Sequence, residues 1–242
     1  MTIQFLSSDM SAWYRPDRRR ATAPNPDDFV HSFKFNRSKR INGWFQSFTT
    51  QSSHPFYSQN ELKMLRIADL SPFSVELRAQ PPSLEFDFRG KLARYTPDLW
   101  IRFVNGQSVL IEVKPSQFAF EEYMVEFFKA AAVAAAATGS GFKVFTDTYL
   151  EQEPRQRNVN HLQAFRSVVP DPAFAFLVDL ELSRVKTSTL ERLSKLHRDP
   201  QLGHEMLLAL VLRKHLQLNL MQEICQGSSV SRPKAMKPLG EN

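Results

Sequence analysis

Apolar and polar residues alternate with a period of two along several short stretches of the chain, which predicts β-strands. The clearest of these stretches is SLEFDF, in which Leu84, Phe86 and Phe88 alternate with acidic residues. The stretches SVELRAQ and FKVFTDTYL are predicted to be strands on the same grounds.

Helical spacing of apolar residues precedes and separates these strands. A helix is predicted from Ser58 through the stretch QNELKMLRIADL, where Glu61 and Met64 lie on one face. One long second helix is predicted from Ser116 to near Gly139. The order of helix, strands, hairpin, helix and strand indicates an α/β fold with helices flanking a mixed sheet.

The composition changes at EQEPRQRN, which is predicted to be a linker over residues 151–158. Beyond it, STLERLSKLH and GHEMLLALVLRKH are predicted to be short helices, and LQLNLMQ and SSVSR a small hairpin. This order is typical of a winged helix-turn-helix, which places one helix in a DNA groove or docks a protein. A plain helical bundle would give a similar pattern. The predicted organisation is a basic flexible arm (1–30), an α/β domain (31–150), the linker (151–158), a winged-helix-like domain (159–230) and a flexible tail (231–242).

Charge and composition narrow the class of partner. The chain has 242 residues, a formal net charge of +6 and a sequence pI of about 9.5, which favours polyanions and nucleic acid first. The single cysteine, Cys225, excludes an internal disulfide and fits a reducing cytosol. The first residues lack the pattern of a signal peptide, and the charges within 118–138 argue against a membrane span. A cytoplasmic protein is therefore expected.

The stretch YTPDLWIRFVNGQSVLIEVK, residues 95–114, is predicted to be a hairpin that holds three charges on one face. Placing its two apolar triplets on a common face pairs Leu99 with Val113. The opposite face then pairs Trp100 with Glu112, and Asp98 with Lys114. This register requires a loop of odd length, predicted to be Asn105-Gly106-Gln107.

Two interpretations of these charges follow from the spacing. Asp98 and Glu112 would be diagonal neighbours, close enough for both carboxylates to reach one divalent cation, and Lys114 could contact a phosphate beside it. The alternative is a salt bridge of Lys114 with both acids on a solvated face, worth roughly 0–1 kcal/mol. Spacing alone favours the salt bridge.

Motifs along the chain resemble a known nuclease family. TPD followed by EVK resembles the PD-(D/E)xK signature of restriction-endonuclease-like folds. The blocks SKRINGWFQS, PFYSQNELKML, QPPSLEF, RYTPDLWI, VLIEVKP and FKVFTD occur in an order similar to that of the TnsA family, the endonuclease subunit of heteromeric cut-and-paste transposases. The resemblance covers about residues 32–150 and continues more weakly into 155–230. It implies a restriction-endonuclease-like mixed sheet flanked by helices in the endonuclease domain.

The resemblance also implies roles for single residues. The implied site consists of Glu61, Asp98 and Glu112 as metal ligands, the backbone carbonyl of Val113 facing the metal, and Lys114 as the active-site lysine. The implied cofactor is Mg²⁺, with Mn²⁺ expected to substitute. The residues by themselves favour a different role for Glu61, because Ser58 and Glu61 fit a capping box at the start of the helix.

The implied function is that of a magnesium-dependent DNA endonuclease that cleaves the 5′ ends of a transposon. A TnsB-type transposase would cut and join the 3′ ends, and a TnsC-type ATPase would regulate the reaction. The implied location is the bacterial cytoplasm, at the nucleoid. Two alternatives stay open: a stand-alone restriction or repair nuclease of the same fold, and a non-catalytic DNA-binding assembly module.

Overall fold

A computed structural model describes residues 41–233, which divide into two compact units. Of these residues, 41–69 and 73–151 form the first unit, while 70–72 and 152–233 form the second. The predicted basic arm and residues 234–242 of the predicted tail lie outside the described residues. Within residues 41–233, no helix has the length and apolar character needed to cross a membrane.

Residues 41–151 form eight strands and four helices. In chain order these are β1 (Gly43–Gln46), β2 (Ser53–Phe56), α1 (Gln59–Leu70), β3 (Ser74–Ala79), β4 (Leu84–Phe88), β5 (Lys91–Tyr95), β6 (Leu99–Phe103), β7 (Ser108–Val113), α2 (Ser116–Ala119), α3 (Glu122–Ala137), β8 (Gly141–Phe145) and α4 (Asp147–Leu150).

The centre of the first unit is a four-stranded mixed sheet in the order β3-β6-β7-β8. β7 pairs antiparallel with β6 and parallel with β8. Small side chains of α3 let this helix lie close to the sheet, since Ala131 and Ala135 pack with Trp100 and Leu110 in one buried cluster. The predicted α/β fold, a restriction-endonuclease-like mixed sheet flanked by helices, is confirmed.

The β6–β7 hairpin has its apolar residues on the predicted face, but the predicted pairing is wrong by two residues. Leu99 lies opposite Ile111 instead of Val113. Alternation specifies the face of each side chain, and a shift of two residues leaves that face unchanged. The pattern therefore could not distinguish the two pairings.

The loop of this hairpin explains the shift. It has the predicted odd length, but it consists of residues 104–106, because the N–H of Phe103 donates to the carbonyl of Gln107 at 2.8 Å. Gly106 has a φ of +81°, a left-handed conformation that glycine adopts without steric cost. The glycine therefore lies at the third loop position, as in a hairpin with a glycine bulge.

Two predicted elements of the first unit need correction. The single helix predicted from Ser116 is two helices, α2 and α3, separated at an extended Glu121 with a ψ of 134°. The predicted strand FKVFTDTYL ends at Phe145, and Asp147 begins α4. The carboxylate of Asp147 accepts from the N–H groups of Ser116 and Thr148, which stabilises this turn away from the sheet.

Residues 152–233 form a small, mainly helical unit. Its elements are α5 (Arg155–Gln163), α6 (Pro172–Val185), β9 (Thr187–Thr189), α7 (Leu190–Ser194), α8 (Pro200–Leu212), β10 (Gln217–Leu218) and β11 (Ser229–Ser231). The three strands form an antiparallel sheet in the order β10-β11-β9. From α6 onward, the order is a helix, a strand, two helices and two further strands, of which the two helices α7 and α8 and the strands β10 and β11 lie within predicted elements. The winged-helix-like assignment stays a prediction.

The start of this unit differs from the prediction. Half of the predicted linker, 151–158, is helical, because α5 begins at Arg155 and buries Arg155 and Asn158. Helix α6 was not predicted, although Asp171-Pro172 is a helix-start signal. The carboxylate of Asp171 caps α6 by accepting from the N–H of Ala173 at 3.0 Å.

Candidate active site

Two predicted site residues, Asp98 and Glu112, meet at the open end of the β6–β7 hairpin. Glu112 lies in β7 with 8% of its surface exposed, and Asp98 lies just before β6 and is half-buried. Extending the observed register by one residue places Asp98 directly opposite Glu112, not diagonal to it as predicted. The Cβ atoms of opposite residues are roughly 4.5–5.5 Å apart, so the shift brings the two acids closer together.

Each of these carboxyl groups accepts a hydrogen bond from a residue between 41 and 233. The backbone N–H of Val113 donates to Oδ2 of Asp98 at 2.8 Å. The hydroxyl of Tyr95 donates to Oε2 of Glu112 at 2.5 Å.

The electrostatic environment disfavours two negative charges at this place. Burial raises the pKa of Asp98 well above its usual value, and the charges of Glu112 and Glu61 raise it further. Burial also raises the pKa of Glu112, while the Tyr95 hydroxyl and the charge of Lys114 act in the opposite direction. A cation beside these carboxylates would therefore be stabilised by the site.

Glu61 contacts the start of α1, although its carboxylate accepts from the N–H of Tyr57 and not from that of Ser58 as in a capping box, and it also lies near the acid pair. Its N–H donates to Oγ of Ser58 at 3.1 Å, and its Oε2 accepts from the N–H of Tyr57 at 2.8 Å. Its carboxylate charge nevertheless raises the pKa of both Asp98 and Glu112. The cap and a role beside the acid pair are thus compatible.

Lys114 follows β7 and is half-buried. Its N–H donates to the carbonyl of Phe145 at 2.9 Å, which anchors its backbone to β8. Between residues 41 and 233, no ion pair joins Lys114 to Asp98 or Glu112, although its charge lowers the pKa of Glu112. The sheet face is also buried instead of solvated, so the exposed salt bridge is not formed.

The donor set fits a magnesium ion held by two carboxylates. In the part of the chain that the structure describes, no three acidic, histidine or cysteine side chains are arranged to hold a metal ion. Mg²⁺ is usually bound by one or two carboxylates, with waters and substrate phosphates as the other ligands. Asp98 and Glu112 are such a pair. The ligand roles of Asp98, Glu112, Glu61 and the Val113 carbonyl, and the active-site role of Lys114, stay predictions.

Tyr95 contacts the site but was not a candidate from the sequence. Its strand, β5, pairs with β4, and its ring packs edge-on against Phe127 of α3 with centroids 5.2 Å apart. The Arg89-Gly90 turn and the alternation in KLARY are signals for this strand. No local pattern indicates the contact with Glu112, which depends on the tertiary fold.

A comparison with protein family models matches the part of the chain that contains Asp98 and Glu112. Residues 72–147 match the family model described as TnsA-like endonuclease N terminal. The matched segment contains Asp98, Glu112 and Lys114, whereas Glu61 lies before it. A search of curated proteins gives no significant match.

Proposed function

We propose that this chain is the magnesium-dependent endonuclease subunit of a DNA transposase, since residues 72–147 belong to the TnsA-like endonuclease family, whose members are transposase-associated nucleases. It cleaves the 5′ ends of the transposon together with a TnsB-type transposase and a TnsC-type ATPase regulator. The observation that best supports this proposal is the opposed pair Asp98 and Glu112, with Lys114 beside it, inside the matched domain.

The residues of the site have distinct proposed roles. Asp98 and Glu112 hold Mg²⁺, which when bound lowers the pKa of a water and offsets charge on the scissile phosphate. The ammonium of Lys114 contacts a phosphate oxygen and stabilises the charge that develops during hydrolysis. Glu61 is the third acidic residue, and its charge adds to the attraction for the cation.

The buried acids count against a non-catalytic assembly module. Burying ionised carboxylates without a cation is costly. The chain nevertheless keeps Asp98, Glu112 and Glu61 close enough to raise the pKa of Asp98. Such an arrangement is expected where the charges have a function.

A cleavage assay with mapped strands tests the proposal. The full chain is incubated with Mg²⁺ and a plasmid that bears transposon ends, with and without the TnsB-type and TnsC-type proteins. Cleavage at the 5′ ends that needs the partners, and is lost in Asp98→Asn, is the expected result. Cleavage without partners would favour a stand-alone nuclease, and equal cleavage by Asp98→Asn would show that the assigned site is wrong.

A further inference from the structure

We propose that Tyr95 is a positioning residue of the metal site, whose hydroxyl holds the Glu112 carboxylate in place for a divalent cation. This inference rests on the proposed function. Tyr95 does not itself contact the metal or DNA in this account, and it acts through Glu112.

The hydrogen bond between Tyr95 and Glu112 involves a buried carboxylate. The Tyr95 hydroxyl lies 2.5 Å from Oε2 of Glu112, and Glu112 has 8% of its surface exposed. A phenolic hydroxyl is a hydrogen-bond donor that can orient a carboxylate by one of its oxygens. A carboxylate with so little access to water depends on protein donors for its orientation.

The ring of Tyr95 is fixed independently of Glu112. It packs edge-on against Phe127 of α3, at an interplanar angle of 89°, and lies 6.2 Å from the ring of Phe142 in β8. Its backbone is paired with Leu84 of β4. Because α3 and β8 contact the ring and β4 pairs with its backbone, we infer that the hydroxyl orients the carboxylate.

The segment Tyr95–Asp98 links both carboxylates to the same piece of backbone. Asp98 at its end accepts from Val113, and Tyr95 at its start donates to Glu112, the neighbour of Val113. Between them, Oγ1 of Thr96 is hydrogen-bonded to Oγ of Ser83 at 2.7 Å. The β6–β7 pairing sets how far apart the two acids lie, and the segment Tyr95–Asp98 adds a side-chain donor to Glu112 next to Asp98.

Tyr95→Phe removes the hydroxyl and keeps the ring. A matched control is Tyr123→Phe, because Tyr123 belongs to the same group of aromatic rings, 5.3 Å from Phe88, but is half-exposed. Mn²⁺ binding to the full chain without DNA is measured by electron paramagnetic resonance. Loss of a residue that hydrogen-bonds a metal ligand typically weakens metal binding by about 10–100-fold. We expect this result for Tyr95→Phe. Tyr123→Phe should bind as the wild type does.

The dependence of cleavage on Mg²⁺ separates positioning from a merely structural role. For Tyr95→Phe, the Mg²⁺ concentration that gives half-maximal cleavage should rise by about the same 10–100-fold, with cleavage restored at saturation. Cleavage that is reduced at every Mg²⁺ concentration with an unchanged midpoint would overturn the inference.

Failure of this inference and failure of the proposed function would give different results. If wild type binds Mn²⁺ and a folded Tyr95→Phe binds it equally well, Tyr95 has no positioning role and the metal site stands. If wild type binds no Mn²⁺ and Mg²⁺ supports no cleavage, the proposed function is wrong and the inference with it.

Discussion

Asp69 and Asp98 are aspartates of the same unit with opposite surroundings. Asp69 has 2% of its surface exposed, and its carboxylate accepts from the hydroxyl of Ser47 and from the N–H groups of Phe48 and Thr49 at 2.6–3.0 Å. It ties the turn between β1 and β2 to the end of α1. Asp98 receives one backbone hydrogen bond and faces a second carboxyl group, that of Glu112.

The difference shows how a buried acid of structural value can be told from one of functional value. Three donors compensate the charge of Asp69, so its burial stabilises the fold around it. The charge of Asp98 is opposed by Glu112 and Glu61, so ionisation of Asp98 destabilises the fold. We therefore expect substitution at the two positions to separate activity from stability.

Asp98→Asn should have the largest effect on activity. We expect cleavage to fall by about a thousand-fold or more. Losing a metal ligand should reduce activity by more than the 10–100-fold that is typical of losing a residue that hydrogen-bonds such a ligand. The free energy of unfolding at neutral pH should stay equal or rise, because the change removes a carboxyl group whose ionised form Glu112 and Glu61 disfavour. Cleavage rates and urea unfolding of the same preparation provide the measurement. A variant that cuts normally, or that unfolds much more easily than wild type, would contradict this assignment.

Asp69→Ala should show the reverse pattern. Leaving the donors of Ser47, Phe48 and Thr49 without their acceptor should lower the free energy of unfolding by about 3 kcal/mol, since each unsatisfied buried group costs about 1–3 kcal/mol. Cleavage by the folded fraction should be unchanged when assayed well below its unfolding temperature. Loss of cleavage in the folded variant would mean that Asp69 also has a functional role.

Glu61→Gln tests whether Glu61 has a structural role, as Asp69 does, or a role in the candidate site, as Asp98 does. Glutamine keeps the acceptor of a capping box, so stability should change by less than about 1 kcal/mol. Removal of the charge near Asp98 and Glu112 should lower cleavage by about 10-fold, the effect of roughly 1.4 kcal/mol. Glu61→Ala, which also removes the cap, is the control. Full cleavage by Glu61→Gln would leave Glu61 with the cap alone.

The pH dependence of stability should differ between wild type and Asp98→Asn. The raised pKa of Asp98 means that the folded protein keeps a proton that the unfolded chain releases above its usual pKa of 3.8. Stability from this group is therefore full at low pH and is lost as the pH rises toward the raised pKa. At pH 8 without metal, Asp98→Asn should be the more stable of the two proteins, and the difference should shrink as the pH falls to 4. A difference that does not change between pH 4 and pH 8 would contradict the assigned shift.

The sequence predicted the strand face of each side chain better than it predicted which residues contact each other. Alternation placed the acids on one face of the hairpin, but the pairing of Asp98 with Glu112 depended on where Gly106 falls in the loop. Glu61 could be linked to the site only through the family resemblance, because its local pattern is that of a cap. The contact of Tyr95 with Glu112 joins β5 to β7 and depends on packing against α3, which no periodicity encodes.

A metal site at Asp98 and Glu112 can be tested without DNA or partners, by thermal unfolding of wild type and Asp98→Asn against Mg²⁺ concentration. A ligand that binds only the folded state raises stability by RT ln(1 + [L]/Kd). At pH 8 without Mg²⁺, wild type should unfold at the lower temperature of the two. Added Mg²⁺ should raise the unfolding temperature of wild type and leave that of Asp98→Asn unchanged. Equal shifts in both proteins, or no shift in either, would contradict a metal site built on Asp98 and Glu112.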